Sequence, residues 1–242
     1  MGSTEKSIPE LIDELENWDD ATREAAARKL GELEEEDAIE PLTKSLLTDK
    51  SEDVRAAAAE ALGRFFSNKT VAAKLAEQMT KENSPIVRVA IAGAIGRIED
   101  YTAAKKIITQ LEKEEASWVK EAIIEALGNY SGKEIVTALV NQLKNEPAEE
   151  VRVQAAKSLA KIAPKGILDE ILSIFQSERS DEVKSYLTEV IAENPDMNAV
   201  EILVNALEDK EFNLTRAAAA EALYKIAKKL GYKDENELID SL

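Results

Sequence analysis

Small and apolar side chains recur along this chain at spacings of three and four residues. Between Val54 and Leu62 they occupy positions i, i+3, i+4, i+7 and i+8, which places them on one stripe of an α-helix. The same frame returns from Val87 and from Val119, and a second helical stripe of mostly aliphatic residues precedes each copy. The pattern therefore predicts helices in pairs, a first helix followed by a second, repeated along the chain.

A basic residue marks the start of each second helix, with a period of 32 or 33 residues. It stands at Arg23, Arg55, Arg88, Lys120, Arg152, Lys184 and Arg216. A fixed period of this length is typical of solenoids, in which each unit buries its apolar face against its neighbours. We therefore predict an all-α protein, a right-handed α-solenoid of seven helix pairs that forms a single domain over residues 1–242. The pairs span 7–31, 37–65, 69–98, 101–130, 133–162, 165–193 and 198–230, and a short capping helix covers 234–242.

A small residue ends each second helix at the place where the next pair must pack. This slot holds glycine or alanine at Gly31, Gly63, Gly96, Gly128, Ala160 and Ala192. Because alanine tolerates a positive φ poorly, the shared requirement is a small side chain and not a left-handed backbone. Tyr224 fills the slot in the last pair, where no further pair follows.

The composition removes several classes of chemistry. The 242 residues include no cysteine and no histidine, which excludes disulfides, thiolate or imidazole catalysis and Cys/His metal clusters. The formal net charge of −17 repels phosphate backbones and argues against nucleic-acid binding. No apolar run reaches the ~18–20 residues that span a bilayer, and the first residues lack an apolar signal region. We therefore expect no catalytic residue, no metal, no cofactor and no membrane partner, and a cytoplasmic location.

The phrase Val54-Arg55-Ala-Ala-Ala-Ala-Glu-Ala-Leu62-Gly63 is similar to the second helix of HEAT repeats. The unit is shorter than the usual ~40–47 residues and resembles the short HEAT-like repeats of bilin-lyase-type and artificial alpha-helical repeat proteins. The resemblance covers residues 7–230.

This resemblance implies that the basic residue of each repeat pairs with an acidic residue near the turn between the two helices, in a ladder that joins the repeats. The candidate acids stand six residues before a basic position, at Asp49, Glu82, Glu114, Glu146 and Glu178. The ladder residues are Arg55, Arg88, Lys120, Arg152, Lys184 and Arg216, and we expect their role to be structural.

The second helices of such an array line its concave face, which we expect to bind the partner. The candidate contacts are Ile86, Val89, Trp118, Glu121, Glu125, Val153 and Lys157. Ile86, Val89 and Trp118 place apolar groups where the other repeats mostly carry charged or small residues, and tryptophan is enriched in binding hot spots. The alternative for Trp118 is that it folds over its own repeat junction. Trp18, in the first repeat, is expected to pack in the terminal cap.

The sequence thus predicts a monomeric, non-catalytic scaffold that binds a protein or peptide, with the acidic surface favouring a basic partner. Two alternatives stay open. One is an artificial repeat scaffold or selected binder of the same architecture. The other is a chaperone-like or lyase subunit that acts on a cofactor-carrying protein.

Overall fold

The computed structural model describes residues 6–242, and the predicted all-α solenoid fold is confirmed, with no strand in this range. The fifteen α-helices in the described residues are α1 (Ile8–Glu14), α2 (Asp20–Leu33), α3 (Ile39–Thr48), α4 (Glu52–Leu62), α5 (Lys69–Met79), α6 (Pro85–Ile98), α7 (Tyr101–Leu111), α8 (Ser117–Leu127), α9 (Lys133–Asn145), α10 (Glu149–Ile162), α11 (Leu168–Ser177), α12 (Asp181–Glu193), α13 (Met197–Glu208), α14 (Asn213–Leu230) and α15 (Glu235–Asp240). None of them is long and apolar enough to cross a membrane. Residues 1–5, on which part of the location prediction rests, lie outside the described range.

The helices pack in pairs, as the apolar stripes of the first and second helices predict. Each odd-numbered helix from α1 to α13 contacts the even-numbered helix that follows it, and these even-numbered helices are the second helices of the pairs. The chain divides into two compact units, unit 1 ending at Tyr130 and unit 2 running from Ser131 to Leu242. Within each unit, every second helix packs on the next one. In unit 1, α2 packs on α4, α4 on α6 and α6 on α8; in unit 2, α10 packs on α12 and α12 on α14. The single domain over 1–242 stays a prediction.

Alanine sets the distance between neighbouring second helices. In α4 the run Ala56 to Ala59 is buried, together with Val54, Ala61 and Leu62. Small side chains leave little between two backbones, and alanine also has the highest helix propensity. The second helices can therefore pack closely without loss of helical order.

The glycine slot requires a small side chain, as the sequence predicts. A Cβ added at Gly63 would lie 2.7 Å from Cα of Ala94, and one added at Gly31 would lie 2.7 Å from Cα of Ala61. Gly63 itself has φ −65°, a conformation open to every residue. Contact with the following second helix, and not backbone freedom, therefore explains the glycine.

The last pair ends as the sequence indicates. Tyr224 is half exposed in its slot on α14. The capping helix α15 packs on α14 and buries Leu238, while Leu242 stays exposed. Within residues 6–242 no further second helix packs against this position, so a large side chain fits there.

Candidate interaction surface

Arginine side chains join successive repeats at the turn between first and second helices. Arg55 binds Glu82 of the following repeat through two hydrogen bonds, Nη2 to Oε1 at 2.8 Å and Nε to Oε2 at 3.1 Å. Its Nη1 donates at 2.9 Å to the carbonyl oxygen of Asp49, six residues before it. Equivalent bidentate pairs, the strongest geometry for such a contact, are Arg23–Asp49, Arg88–Glu114 and Arg152–Glu178.

The ladder carboxylates are buried and fully engaged. The Glu82 side chain is only 3% exposed, and it also accepts hydrogen bonds from Nε2 of Gln78 and from the backbone N–H of Ser84. Burial by itself raises the pKa of Glu82, but the hydrogen bonds from Arg55, Ser84 and Gln78 outweigh it and hold the pKa below its usual value. The same balance lowers the pKa of Glu114 and of Glu178. These carboxylates therefore stay ionised near neutral pH, and their role is to tie the repeats together.

The expected acidic partner is wrong at Lys184, although its inter-repeat role stays a prediction. Its ammonium group lies 4.8 Å from the ring centroid of Phe175 and 4.2 Å from that of Phe212. The acidic position of the following repeat is occupied by Lys210, which would repel a second cation. Lys184 therefore makes cation–π contacts in place of an ion pair.

Arg216 also departs from the assignment because it belongs to the last repeat. Its Nη2 donates to Oδ1 of Asn213 at 2.7 Å, and its Nη1 donates to the carbonyl oxygen of Asp209. Within residues 6–242, no helix pair after α14 supplies a carboxylate to it. The assignment of Lys120, which is half-buried, stays a prediction.

Positions along one side of α4, α6 and α8, with residues just after α4 and α8, form a regular grid in unit 1, in which Ala56 is buried and the other residues are half-buried or exposed. We call this grid the second-helix face. It consists of Asp53, Ala56, Glu60 and Arg64, then Ile86, Val89, Gly93 and Arg97, then Trp118, Glu121, Glu125 and Asn129. Each set of four follows the spacing i, i+3, i+7, i+11, which lies along one side of a helix. The surface thus carries one row per helix, and rows from successive repeats are neighbours because α6 packs between α4 and α8.

An uncharged patch lies at one end of this face. Trp118 is 50% exposed and Ile86 46% exposed, while Val89 is half-buried. Asp53 holds the position of Ile86 and Trp118 on α4. Half of Trp118 is therefore packed against the chain, and the other half is open to solvent.

Carboxylates share the second-helix face with the patch. Asp53 and Glu125 are exposed and Glu121 is half-buried, and none of the three forms an ion pair within the described part of the chain. The two remaining predicted contacts, Val153 and Lys157, lie on α10 in unit 2, where Val153 is half-buried and Lys157 is exposed. The structure thus places five of the seven predicted contacts on one face of unit 1.

Trp18 is wrongly predicted as a packing residue, because its side chain is 91% exposed. It stands five residues before Arg23, in the turn between α1 and α2. The residues at the same offset in the six later repeats are all exposed as well, at Lys50, Asn83, Glu115, Pro147, Arg179 and Glu211. The repeat register therefore identifies this turn position as solvent-facing, whatever residue occupies it.

Two observations concern the chemistry available to the described residues. Among residues 6–242, no group of three or more acidic side chains is arranged to hold a metal ion. Burial raises the pKa of Tyr130 to about 12, and its hydroxyl donates to the carbonyl oxygen of Ile95 at the end of α6. The tyrosine therefore closes a helix end and is a poor proton donor at neutral pH.

Comparison with known proteins identifies the repeat. A family model of HEAT repeats matches residues 8–96 and 72–160, which together cover more than half of the chain. No curated protein matches in sequence. Among solved structures, the complex of CpcE and CpcF of phycocyanin lyase from Nostoc sp. PCC7120 contains a chain with 21% identity and a TM-score of 0.55, covering 100% of this chain and 97% of that one. YibA from Escherichia coli has 22% identity and a TM-score of 0.65, covering 91% of this chain and 81% of YibA. At these identities the likeness shows the fold alone.

Proposed function

We propose that this chain, which belongs to the HEAT-repeat proteins, is a non-catalytic scaffold that binds a protein or peptide through the second-helix face of unit 1. Ile86, Val89 and Trp118 supply the apolar anchor, and Glu121 and Glu125 flank it. Val153 and Lys157 in unit 2 stay predicted contacts.

The observation that carries this proposal is the combination of an exposed tryptophan with unpaired carboxylates. Burying the exposed half of Trp118 against a partner removes apolar surface from water, and tryptophan is the residue most enriched in interface hot spots. Among residues 6–242, the structure gives no ion pair for Asp53, Glu121 or Glu125. A segment with an apolar side chain between basic ones complements this arrangement.

Charge also favours such a partner at long range. A net charge of −17 creates a negative potential that attracts a basic protein and speeds its association at low salt. A chain of phycocyanin lyase with a similar fold occurs in a complex of CpcE and CpcF, which illustrates the use of this fold in protein assembly.

Replacement of Trp118 by alanine tests the proposal. We expect the affinity for a partner captured from a lysate of the source cell to fall by at least tenfold, about 1.4 kcal/mol or more. The melting temperature should hardly change because the ring is half exposed. Trp18→Ala is the matched control: it removes the same side chain from an exposed turn of unit 1 outside the face, and the affinity should stay the same. Titration calorimetry and thermal melts of the two variants measure both quantities.

Two results would count against this function. If Trp118→Ala lowers the melting temperature strongly while the affinity is retained, the ring is a packing element. If Trp18→Ala weakens binding as much as Trp118→Ala, the partner occupies the turns between first and second helices and not the second-helix face.

A further inference from the structure

Two arginines of unit 1 lack the carboxylate partner that the other arginines of the unit have. Arg23, Arg28, Arg55 and Arg88 each form an ion pair with Asp or Glu. Within residues 6–242, the structure gives no ion pair for Arg64 or Arg97. In a chain with 48 acidic and 31 basic residues, cations without a partner are unexpected, because nearby carboxylates are plentiful.

The two arginines form one cluster at the end of the second-helix face opposite Ile86 and Trp118. Arg97 extends across the end of α4, where its Nη2 lies 2.8 Å from the position that a Cβ at Gly63 would take. Arg64 directly follows Gly63 in the chain. A Cβ at Gly93 would lie 3.6 Å from Nη1 of Arg97, so the guanidinium group rests over two glycines.

The hydrogen-bonding capacity of Arg97 is almost unused. Its one hydrogen bond in the structure is a long contact of 3.4 Å from Nη2 to the carbonyl oxygen of Glu60, beyond the usual range for N–H···O bonds. A guanidinium group has five N–H donors. The carboxylate of Glu60 is engaged with Nη1 of Arg28 at 2.6 Å and is not available as a full partner.

The electrostatic surroundings of Arg97 are also unfavourable for a cation. Burial is the main cause that lowers its pKa, and the like charge of Arg64 lowers it further, while Glu60 offsets only part of this. A partly desolvated charge is normally compensated by an opposite charge. An anion from outside the chain would supply that compensation.

An exposed aromatic ring accompanies the two cations. Phe66 is 62% exposed and lies two residues after Arg64. The N–H of the neighbouring Ser67 donates at 3.0 Å to the carbonyl oxygen of Ile98, which holds this turn against the end of α6, one residue beyond Arg97. Apolar and cationic groups therefore occur together at this end of the face.

We propose that Arg64, Arg97 and Phe66 form a second binding site, which takes a short acidic segment of a partner protein. Its carboxylates bind the two guanidinium groups bidentately, and its apolar side chains cover Phe66. A long polyanion such as a nucleic acid does not fit, because Glu60 and Glu125 lie on the same face and the chain as a whole carries a net charge of −17. A short segment with about four carboxylates carries far less charge and avoids most of that repulsion.

The site also gives the partner a direction, a consequence that rests on the proposed function. Ile86 and Arg97 are 11 residues apart on α6, or about 16 Å at 1.5 Å per residue. A partner that spans both ends would place its apolar and basic part at Ile86 and Trp118, and its acidic part at Arg64 and Arg97. Binding in the reverse direction would bring like charges together at both ends.

Side-chain NMR of the intact chain tests the acidic site without knowledge of the natural partner. The probe is an acetylated tetraglutamate peptide, with the corresponding tetraglutamine peptide and inorganic phosphate at equal ionic strength as comparisons. We expect tetraglutamate to produce saturable shifts of the Nε–Hε signals of Arg64 and Arg97. Tetraglutamine and inorganic phosphate should shift these signals little. The double variant Arg64→Gln/Arg97→Gln should bind tetraglutamate at least tenfold more weakly, and Arg179→Gln, an exposed arginine of unit 2, should bind it as the wild type does.

Because Arg97 also contacts the end of α4, the single variant Arg64→Gln provides a test that does not depend on that contact. It should weaken tetraglutamate binding at least threefold with an unchanged melting temperature. The proposal is overturned if Arg64→Gln and the double variant bind tetraglutamate unchanged, or if phosphate binds as tightly, which would indicate a non-specific anion site. Trp118→Ala should not alter tetraglutamate binding, so failure of this site and failure of the proposed function are separate outcomes.

Discussion

Replacing Glu82 with alanine is expected to lower the free energy of unfolding by about 3–5 kcal/mol, the usual cost of removing one partner from a buried ion pair. The change leaves Arg55 with its side chain 17% exposed and without a carboxylate. It also removes the acceptor for Gln78 and for the backbone N–H of Ser84. Urea denaturation at neutral pH measures the difference.

Glu77→Ala is the matched control for this prediction. Glu77 pairs with Lys81 at 2.6 Å, but its side chain is 66% exposed, and exposed ion pairs contribute only about 0–1 kcal/mol. The destabilisation by Glu82→Ala should therefore be several times larger. Equal effects of the two substitutions would show that the ladder contributes no more than a surface contact.

The effect of Glu82→Ala should also depend on pH in one direction. The pKa of Glu82 is lower in the folded chain than the ordinary value of about 4.3. Its ionised form therefore stabilises the fold above that value, and the stabilisation is lost as the pH falls through the folded-state pKa. The difference between wild type and variant should be constant from pH 7 to about pH 5 and shrink below about pH 4. A difference that grows on acidification would contradict the account of the ladder.

Replacing Gly63 with alanine is expected to destabilise the protein by about 1–3 kcal/mol, whereas the same replacement at Gly93 should stabilise it by about 0.5–1 kcal/mol. At Gly63 the added Cβ would lie 2.7 Å from the backbone of α6 at Ala94, so the two helices must separate. At Gly93 its nearest neighbour would be a flexible Arg97 atom at 3.6 Å, and the gain in helix propensity remains.

Gly96→Leu extends the same test to a larger side chain. The Cβ at Gly96 would lie 3.1 Å from Cα of Ala126, so leucine should cost about 2–4 kcal/mol through overpacking. Thermal melts of the three variants provide the comparison. If Gly63→Ala and Gly93→Ala changed stability with the same sign, the requirement for a small residue at the slot would be refuted.

The repeat register made most of the fold predictable from the sequence. A single helix with alanines such as Ala57 and Ala58 could pack in many ways, but the same frame at Val87 and Val119 leaves one consistent arrangement. The alanines at the same slot in later repeats indicated that glycine is present at Gly63 because the slot requires a small side chain. The position of Trp18 in the repeat also indicates that its side chain is exposed. The prediction that it packs in the cap followed from the residue type, because tryptophan is usually buried.

The repeated sequence around each basic residue does not show that Lys184 and Arg216 lack an acidic partner. That difference depends on which residue the following repeat places beside them. Lys184 has the same position as Arg55, and only the lysine at the acidic position of the next repeat distinguishes it. Arg64 and Arg97 were missed for a different reason: they stand nine residues after a ladder position, and the predicted contacts extended only five. Comparison of positions nine residues after the ladder residues reveals two basic residues on a face whose other charged residues are all acidic.

The function is less predictable than the fold because a solenoid face carries no reaction chemistry. The exposed fraction of Trp118 depends on how α8 packs, and the sequence left two arrangements open. The artificial scaffold and the lyase subunit stay predictions. A chromophore bound to the purified protein would favour the lyase subunit.

Site-specific photocrosslinking tests most directly whether a partner occupies the second-helix face of unit 1. A photoreactive phenylalanine analogue at Val89, in the uncharged patch of the face, is compared with one at Thr109, an exposed position on the first helix α7. In a lysate of the source cell, we expect the analogue at Val89 to form a crosslink to one protein, and we expect Trp118→Ala in the same chain to abolish that crosslink. Crosslinks to that protein from Thr109, with none from Val89, would contradict the account.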